Sequence, residues 1–199
     1  MIAFVRGQFV QKQPARVVVD VNGVGYDLQI SLHTYSAIVN KDAGQLHTYL
    51  HITENAQTMF GFAELDEKEI FLQLISVSGV GAATARMMLS GMKPDEIAKA
   101  IVQGNTKQLE SIKGIGKKSA ERLIVELRDK LGKHQSEHTM GGFQQALPHY
   151  DAVVALVSLG IAKPMAEQAV KKAIAINPEP VALEDLIKNA LKNLTLIST

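Results

Sequence analysis

This chain of 199 residues has no cysteine and no tryptophan. Without cysteine there is no disulfide, zinc–thiolate site or iron–sulfur cluster, and a reducing compartment, the cytosol, is the natural setting. No apolar run approaches the ~18 residues of a membrane span. The opening MIAFVRGQFVQ alternates like a strand, where a secretory signal would be continuously apolar. An excess of charge is lacking too: 21 Lys and Arg against 20 Asp and Glu argue against a polycationic coat for nucleic acid. There is no G-x-x-x-x-G-K-[ST] loop. Gly116-Lys117-Lys118-Ser119 comes near, but Ser111 stands where the first glycine belongs, so ATP hydrolysis is not expected. The histidines suggest no metal site: His47 and His51 lie ~13 Å apart along a strand, and His134 and His138 fall in a polar stretch. Met87, Met88 and Met92, with Leu89, read as helix packing and not as a cofactor box. Neither a metal nor a cofactor is expected.

What the chain does have is centred on Leu109 to Leu131, LESIKGIGKKSAERLIVELRDKL. An apolar segment ends at Ile112, a Gly114-Ile115-Gly116 turn follows, and a helix opens with Lys117, Lys118 and Ser119. The glycines permit positive φ and the close approach of another backbone. The unpaired N–H groups and dipole of a helix start attract an anion. Lys117, Lys118 and Arg122 add formal positive charge there, while Ala120, Leu123, Ile124, Leu127 and Leu131 give the helix a packed face. Such a device holds a phosphate through main chain and reads no base, so contact with nucleic-acid backbone is expected.

The device occurs twice. Shifted by 35 residues, LISVSGVGAATARMML lies over LESIKGIGKKSAERLI, with Gly79 on Gly114, Val80 on Ile115, Gly81 on Gly116 and Ala85 on Ala120. A repeat at this period marks a duplicated supersecondary unit, here a tandem helix-hairpin-helix that could grip two successive phosphates. Charge is uneven in the same region: residues 107 to 131 hold seven Lys and Arg and four Asp and Glu.

The surrounding segments read as an α+β, multidomain chain. Residues 1–63 give five short strands (Ile2–Val10, Arg16–Val21, Val24–Ser31, Leu46–Ile52, Gln57–Phe62) separated by turn residues. Asn22-Gly23 is a hairpin signal, and a small closed barrel of the OB-fold type is expected, with a β-sandwich fragment as the alternative. Residues 64–131 are the helical domain, opening on Leu65-Asp66-Glu67-Lys68-Glu69 with acids in the first turn as the dipole prefers. Residues 132–147 lose periodicity and read as a flexible linker. Residues 148–199 return as three short helices, about 150–159, 164–176 and 183–194, with five basic and five acidic residues and no phosphate-type loop. That tail reads as a protein-binding module.

The order of barrel, two hairpins, linker and three-helix tail resembles the RuvA family, DNA-binding subunits of the bacterial Holliday junction branch-migration complex. The stretches that carry the resemblance are MIAFVRG, VNGVGYDLQIS, MFGF, SVSGVG, LSGM and SIKGIGKKSAERLIVELRDKL, and it covers the whole chain. The resemblance implies a homotetramer, one or two per junction, holding a four-way DNA junction open on a concave face. It implies a ring ATPase partner, RuvB, a resolving nuclease partner, RuvC, and no catalysis by this chain. DNA contacts would come from Gly79, Val80, Gly81, Gly114, Ile115, Gly116, Lys117, Lys118 and Arg122. An acidic pin maps to the barrel hairpin tip, with Glu54 in its first position and Asn55 where the family has a second acid. A further departure is Ala82-Ala83, where a basic residue commonly follows the first turn. The tail, UBA-like in the family, would contact RuvB through Leu156, Leu159, Ile161 and Leu191. The alternative from another class is a helix-hairpin-helix DNA glycosylase using Lys118 as a Schiff-base nucleophile. It would want a Gly/Pro-rich loop ending in a catalytic Asp, and none is found.

Overall fold

The computed structural model describes residues 1–139, 148–176 and 182–195, in two compact units, Met1–Ser136 and Glu137–Thr199. In the first unit β1 (Phe4–Gln13), β2 (Arg16–Val21), β3 (Val24–Ile30), β4 (Ala43–Ile52) and β5 (Gln57–Phe62) close a barrel in the order β1-β2-β3-β5-β4. Neighbours are antiparallel except β3 and β5, which run parallel. β1 pairs with β4 through Phe4–Gln8 and with β2 through Gln8–Gln13, and the register shifts between Phe9 and Gln11. Such a bulge bends a strand enough to serve two partners. Val10, at the shift, is exposed, while Val5, Phe9, Val17, Val19, Leu28, Ile30 and Leu46 fill the interior. The β-sandwich alternative is thereby excluded.

Four strand boundaries differ from the sequence reading, two of them by a residue or two (β1 begins at Phe4 and β3 ends at Ile30), and so does one element. β4 begins at Ala43 and β1 runs on to Gln13. Ala43 and Gly44 have little strand propensity and are held by their ladder to Gly7 and Gln8. A short helix, α1 (Leu32–Ile38), follows β3 in what the sequence suggested was all strand. Ser31 caps it by accepting from the Thr34 N–H, and Ile38 lies buried against the barrel core. Thr34 and Tyr35 favour strands in isolation, so tertiary packing decides this segment.

The helical part is α2 (Leu65–Ile75), α3 (Ala82–Gly91), α4 (Pro94–Gln103), α5 (Thr106–Glu110) and α6 (Lys117–Thr139). α4 ends on Gly104 at φ +70°, and the Asn105 side chain then caps α5. Leu74, Val77, Ala85, Met88, Leu89, Ile97, Ile101, Leu109, Leu123 and Leu127 make one core, which Phe60 and Phe62 of β5 join. Phe71 of α2 is the hinge-pin of that union. Its ring centroid is 4.9 Å from Phe62, 5.1 Å from Phe60 and 5.6 Å from Tyr49. Truncating so buried an aromatic costs about 3–5 kcal/mol. α6 continues to Thr139 and so takes in the first eight residues, 132–139, of the expected linker. Lys133 to Thr139 contains no Gly or Pro, so nothing in the chain chemistry stops the helix. Residues 140–147, the remainder of the expected linker, lie outside the described residues.

In the second unit α7 (Pro148–Ser158), α8 (Lys163–Ile176) and α9 (Leu183–Thr195) surround Ala152, Leu156, Ala166, Ala169, Val170, Ala173, Leu186 and Ala190. Four of the eight are small alanines on α7 and α8, which let short helices approach closely enough to share a core. Among the described residues no helix is long and apolar enough to cross a membrane.

Candidate nucleic-acid interface

The 35-residue repeat is reproduced bond for bond. In the first hairpin Val77 N–H donates to Leu74 O at 3.2 Å, Val80 N–H to Val77 O at 3.0 Å and Ala85 N–H to Gly81 O at 2.9 Å. In the second, Ile112 donates to Leu109 at 3.2 Å, Ile115 to Ile112 at 3.1 Å and Ala120 to Gly116 at 3.0 Å. The Ser76 and Ser111 hydroxyls each donate to the carbonyl three residues back, at 2.7 Å. Val77, Val80, Ile112 and Ile115 are buried. Val80 and Ile115 therefore plug their own hairpins and offer a ligand only main chain.

The glycines divide into two kinds. Gly79 and Gly114 sit at φ +91° and +94°, where an L side chain is strained by about 1–2 kcal/mol. The fold itself asks for glycine there. Gly81 has φ −81°, and a Cβ built on Gly81 or Gly116 would meet nothing within 4 Å. Among the described residues nothing requires glycine at these two places. A backbone arriving from outside would. Having no side chain, neither glycine can cap the helix it precedes, so the first N–H groups of α3 and α6 get no bond from these two residues' side chains.

Charge separates the two turns. Beside the second, Lys113, Lys117, Lys118 and Arg122 are all exposed. Lys117 Nζ lies 4.0 Å from Glu121, and Arg122 Nε donates to Glu126 at 2.8 Å. Both are exposed i,i+4 pairs, worth little and easily exchanged for a phosphate. Among the described residues Lys113 and Lys118 have no carboxylate within ion-pair distance. Beside the first turn stand Ala82, buried, and Ala83, exposed, and the first cation of α3, Arg86, is turned toward the barrel.

The barrel tip is a tight, exposed turn. Thr53 N–H donates to Ala56 O at 2.9 Å and Ala56 N–H to the Thr53 hydroxyl at 3.2 Å, which leaves Glu54 and Asn55 at the apex in solvent.

Glu67 was not legible as more than a dipole-friendly acid, yet it is fully buried. The Ser31 hydroxyl donates to one carboxylate oxygen and the Thr34 hydroxyl to the other at 2.5 Å, joining α2 to the start of α1. Burial pushes its carboxyl above the ordinary range, offset in part by the Ser31 and Thr34 hydroxyls, by nearby His33 and by the Ala63 N–H.

In the tail, one expected contact residue is corrected. Leu156 is fully buried in the unit's own core and has no surface to offer. Leu159 is 64% exposed, and Ile161 and Leu191 are half-buried against the core. Tyr150, Val154 and Val157, at i, i+4 and i+7 of α7, are exposed together and were missed. Their spacing was visible in the sequence, but Ala152 and Leu156 share that helix with equal periodicity, and only packing tells the two faces apart.

Among the described residues no three His, Asp or Glu side chains converge as metal ligands. The fold and paired turns thus define a class: a small five-stranded barrel carrying tandem helix-hairpin-helix units. Residues 1–61 match the family description "RuvA N terminal domain", 71–129 "SAM-like Helix-hairpin-helix tandem" and 148–195 "RuvA, C-terminal domain". A protein of Flavobacterium psychrophilum is 45% identical over 194 residues, covering 98% of this chain and all of the relative. One of Cytophaga hutchinsonii is 43% identical over 198 residues, covering 96% and 99%. One of Thioalkalivibrio sulfidiphilus is 42% identical over 201 residues, covering 96% and 98%. Each of these relatives bears the name "Holliday junction branch migration complex subunit RuvA". The chain belongs to the RuvA family.

Proposed function

We propose that this protein binds four-way DNA junctions by their backbone, without regard to sequence, as the non-catalytic subunit of a branch-migration complex in recombination and repair. The observation that carries the reading is the pair of matched turns whose second glycines have no intramolecular reason to be glycine. Two main-chain phosphate sites at fixed spacing suit a strand running past both, and the four free or loosely paired cations of the second turn supply the long-range attraction. Assembly as a homotetramer, one or two per junction, would turn each feature into a ring of four. Phe4, Val10 and Val24, exposed on the barrel, are apolar surface of the kind a second copy covers. Four Glu54 carboxylates near the axis would repel phosphates from the centre, with Asn55 adding no charge. The tail would recruit the RuvB ATPase ring through Leu159, flanked by Ile161 and Leu191, and the exposed face of Tyr150, Val154 and Val157. RuvC would act on the same junction, and the cytoplasm is the expected location.

A glycosylase reading finds no support, since Lys118 is exposed at a helix start, whereas a Schiff-base lysine needs a desolvated pocket. The deciding experiment is a gel-shift series with a four-way junction and a linear duplex of equal length over several salt concentrations. Junction binding is expected to exceed duplex binding at every salt, independent of arm sequence, and equal affinities would refute the proposal. In the same assay Glu54→Gln is expected to bind at least as tightly while discriminating less. Weakening of both substrates would make Glu54 a structural residue.

A further inference from the structure

The first hairpin carries a cation but spends it inward. Arg86 Nη1 donates to Ala15 O at 2.9 Å and to Gln29 Oε1 at 2.8 Å. Ala15 O also accepts from Ile30 N–H at 3.1 Å, so one guanidinium completes a joint among the β1–β2 turn, β3 and α3. One helical turn on, Ser90 Oγ accepts the Leu32 N–H at 3.1 Å and donates to Arg86 O at 2.9 Å. The same face of α3 is thus tied to the barrel at two levels. The latch is no property of hairpins as such. Thirty-five residues later stands Glu121, which faces solvent beside Lys117.

We propose that Arg86 is a positioning residue: by fixing α3 to the barrel it holds the Gly79–Gly81 turn at a set place relative to the Glu54 tip. It thereby governs the preference for a four-way junction over duplex and leaves the strength of the grip alone. This rests on the junction-binding reading above. A duplex offers phosphates along its whole length, so a loosely held turn still finds one. A junction requires turn and tip to meet the strands at one separation, and looseness there is costly. A planar guanidinium with donors in a rigid fork serves two acceptors at once, which a lysine ammonium does with less geometric definition.

The test uses the full chain with Arg86→Lys, Arg86→Leu and Gln29→Ala, each titrated with junction and duplex across a salt series. Amide exchange is followed at Leu32 and residues 82–91. Arg86→Lys keeps the charge and Gln29→Ala never touches it, so a fold-wide defect or a lost phosphate contact cannot mimic the expected result. Both should lose about tenfold in junction preference, the size of one charge-assisted hydrogen bond. Duplex affinity and both salt slopes should stay unchanged, and Leu32 should exchange faster. The inference is overturned if Arg86→Lys behaves as wild type while Arg86→Leu lowers the duplex slope by about 0.9, the mark of a phosphate contact. Unchanged junction preference in both Arg86→Lys and Gln29→Ala overturns it too. If the wild type shows no junction preference, the functional reading fails by itself. Positioning is then judged by exchange, and unaltered protection in both variants refutes it.

Discussion

The two hairpins share a hydrogen-bond pattern and differ in almost everything around it. The first is bound to the barrel three times over: by Phe71 among Tyr49, Phe60 and Phe62, by Glu67 under the Ser31 and Thr34 hydroxyls, and by Arg86 and Ser90. Its turn has no free cation. Among the described residues the second makes no hydrogen bond, ion pair or ring contact of that kind to the barrel and rests on the first, where Ile112 lies under Gly91 and Met87 Sδ beside Gly114. Its turn is ringed by Lys113, Lys117, Lys118 and Arg122. Duplication supplied one geometry, and on the function proposed above the copies divide geometric reference from electrostatic grip. The division follows from placement: a turn clamped to a rigid barrel can be accurate without charge, whereas attraction over a Debye length needs only exposure.

The largest effect should come from what the hairpins share. Gly81→Ala and Gly116→Ala add a methyl where the free chain has room, so melting should fall by no more than a few degrees. Junction affinity should nonetheless fall by at least about tenfold in each. If Gly116→Ala alone were damaging, the first turn would not touch DNA and the comparison would collapse to a single site.

Next in size is the charge that the second hairpin holds alone. Replacing Lys117 and Lys118 together by Ala should weaken junction and duplex alike and lower the salt slope by about 1.8, two phosphates at roughly 0.9 each. An unchanged slope would place those lysines off the DNA.

The anchoring of the first hairpin should also titrate. Glu67 has its carboxyl raised on folding by burial, so the folded state holds a proton that the unfolded state releases. The associated stability is present in acid and is lost as pH rises from about the unfolded value through the folded one. Glu67→Gln, uncharged and able to keep hydrogen bonds to Ser31 and Thr34, should flatten the fall in denaturant midpoint above pH ~4.5. An unaltered pH profile would mean that Glu67 stays ionised and that its three donors outweigh burial.

Much of this was legible in sequence for a physical reason. Positive φ at Gly79 and Gly114 and buried plugs at Val80 and Ile115 tolerate few residue types, so a repeated geometry left a repeated spelling. The three tail helices were equally readable from the return of a helical pattern at Pro148 and from the breaks at Gly160 and Asn177-Pro178. The latches were not: Arg86 is 57 and 71 positions from its acceptors, and Glu67 is 33 and 36 from its donors. No local pattern distinguishes those side chains from ordinary solvated charges. α1 was hidden by β-branched and aromatic residues, and Leu156 by sharing a helix with residues that do face solvent.

The smallest predicted effect is a gain, and it tests whether the asymmetry is electrostatic at all. Shifted by 35, Lys117 and Lys118 fall on Ala82 and Ala83. Ala82 is 7% exposed, and a lysine there would have to leave the core or drag charge into it. Ala83 is exposed at the second position of α3, so Ala83→Lys places an ammonium where Lys118 stands in the other copy without disturbing packing. A cation near a helix N-terminus opposes the dipole, at a cost of about 0.3–1 kcal/mol in the free protein. That cost is recovered when a phosphate arrives between the dipole and the ammonium. Ala83→Lys should therefore be slightly less stable and raise the salt slope by about 0.9, binding junction and duplex a few-fold tighter at low salt. Junction preference should stay level or decline, because the new charge rewards any nearby phosphate. A lysine that changed neither slope nor affinity would show that the first turn lies too far from DNA for charge to matter. Its part would then be to carry the second hairpin, and the two copies would differ in kind.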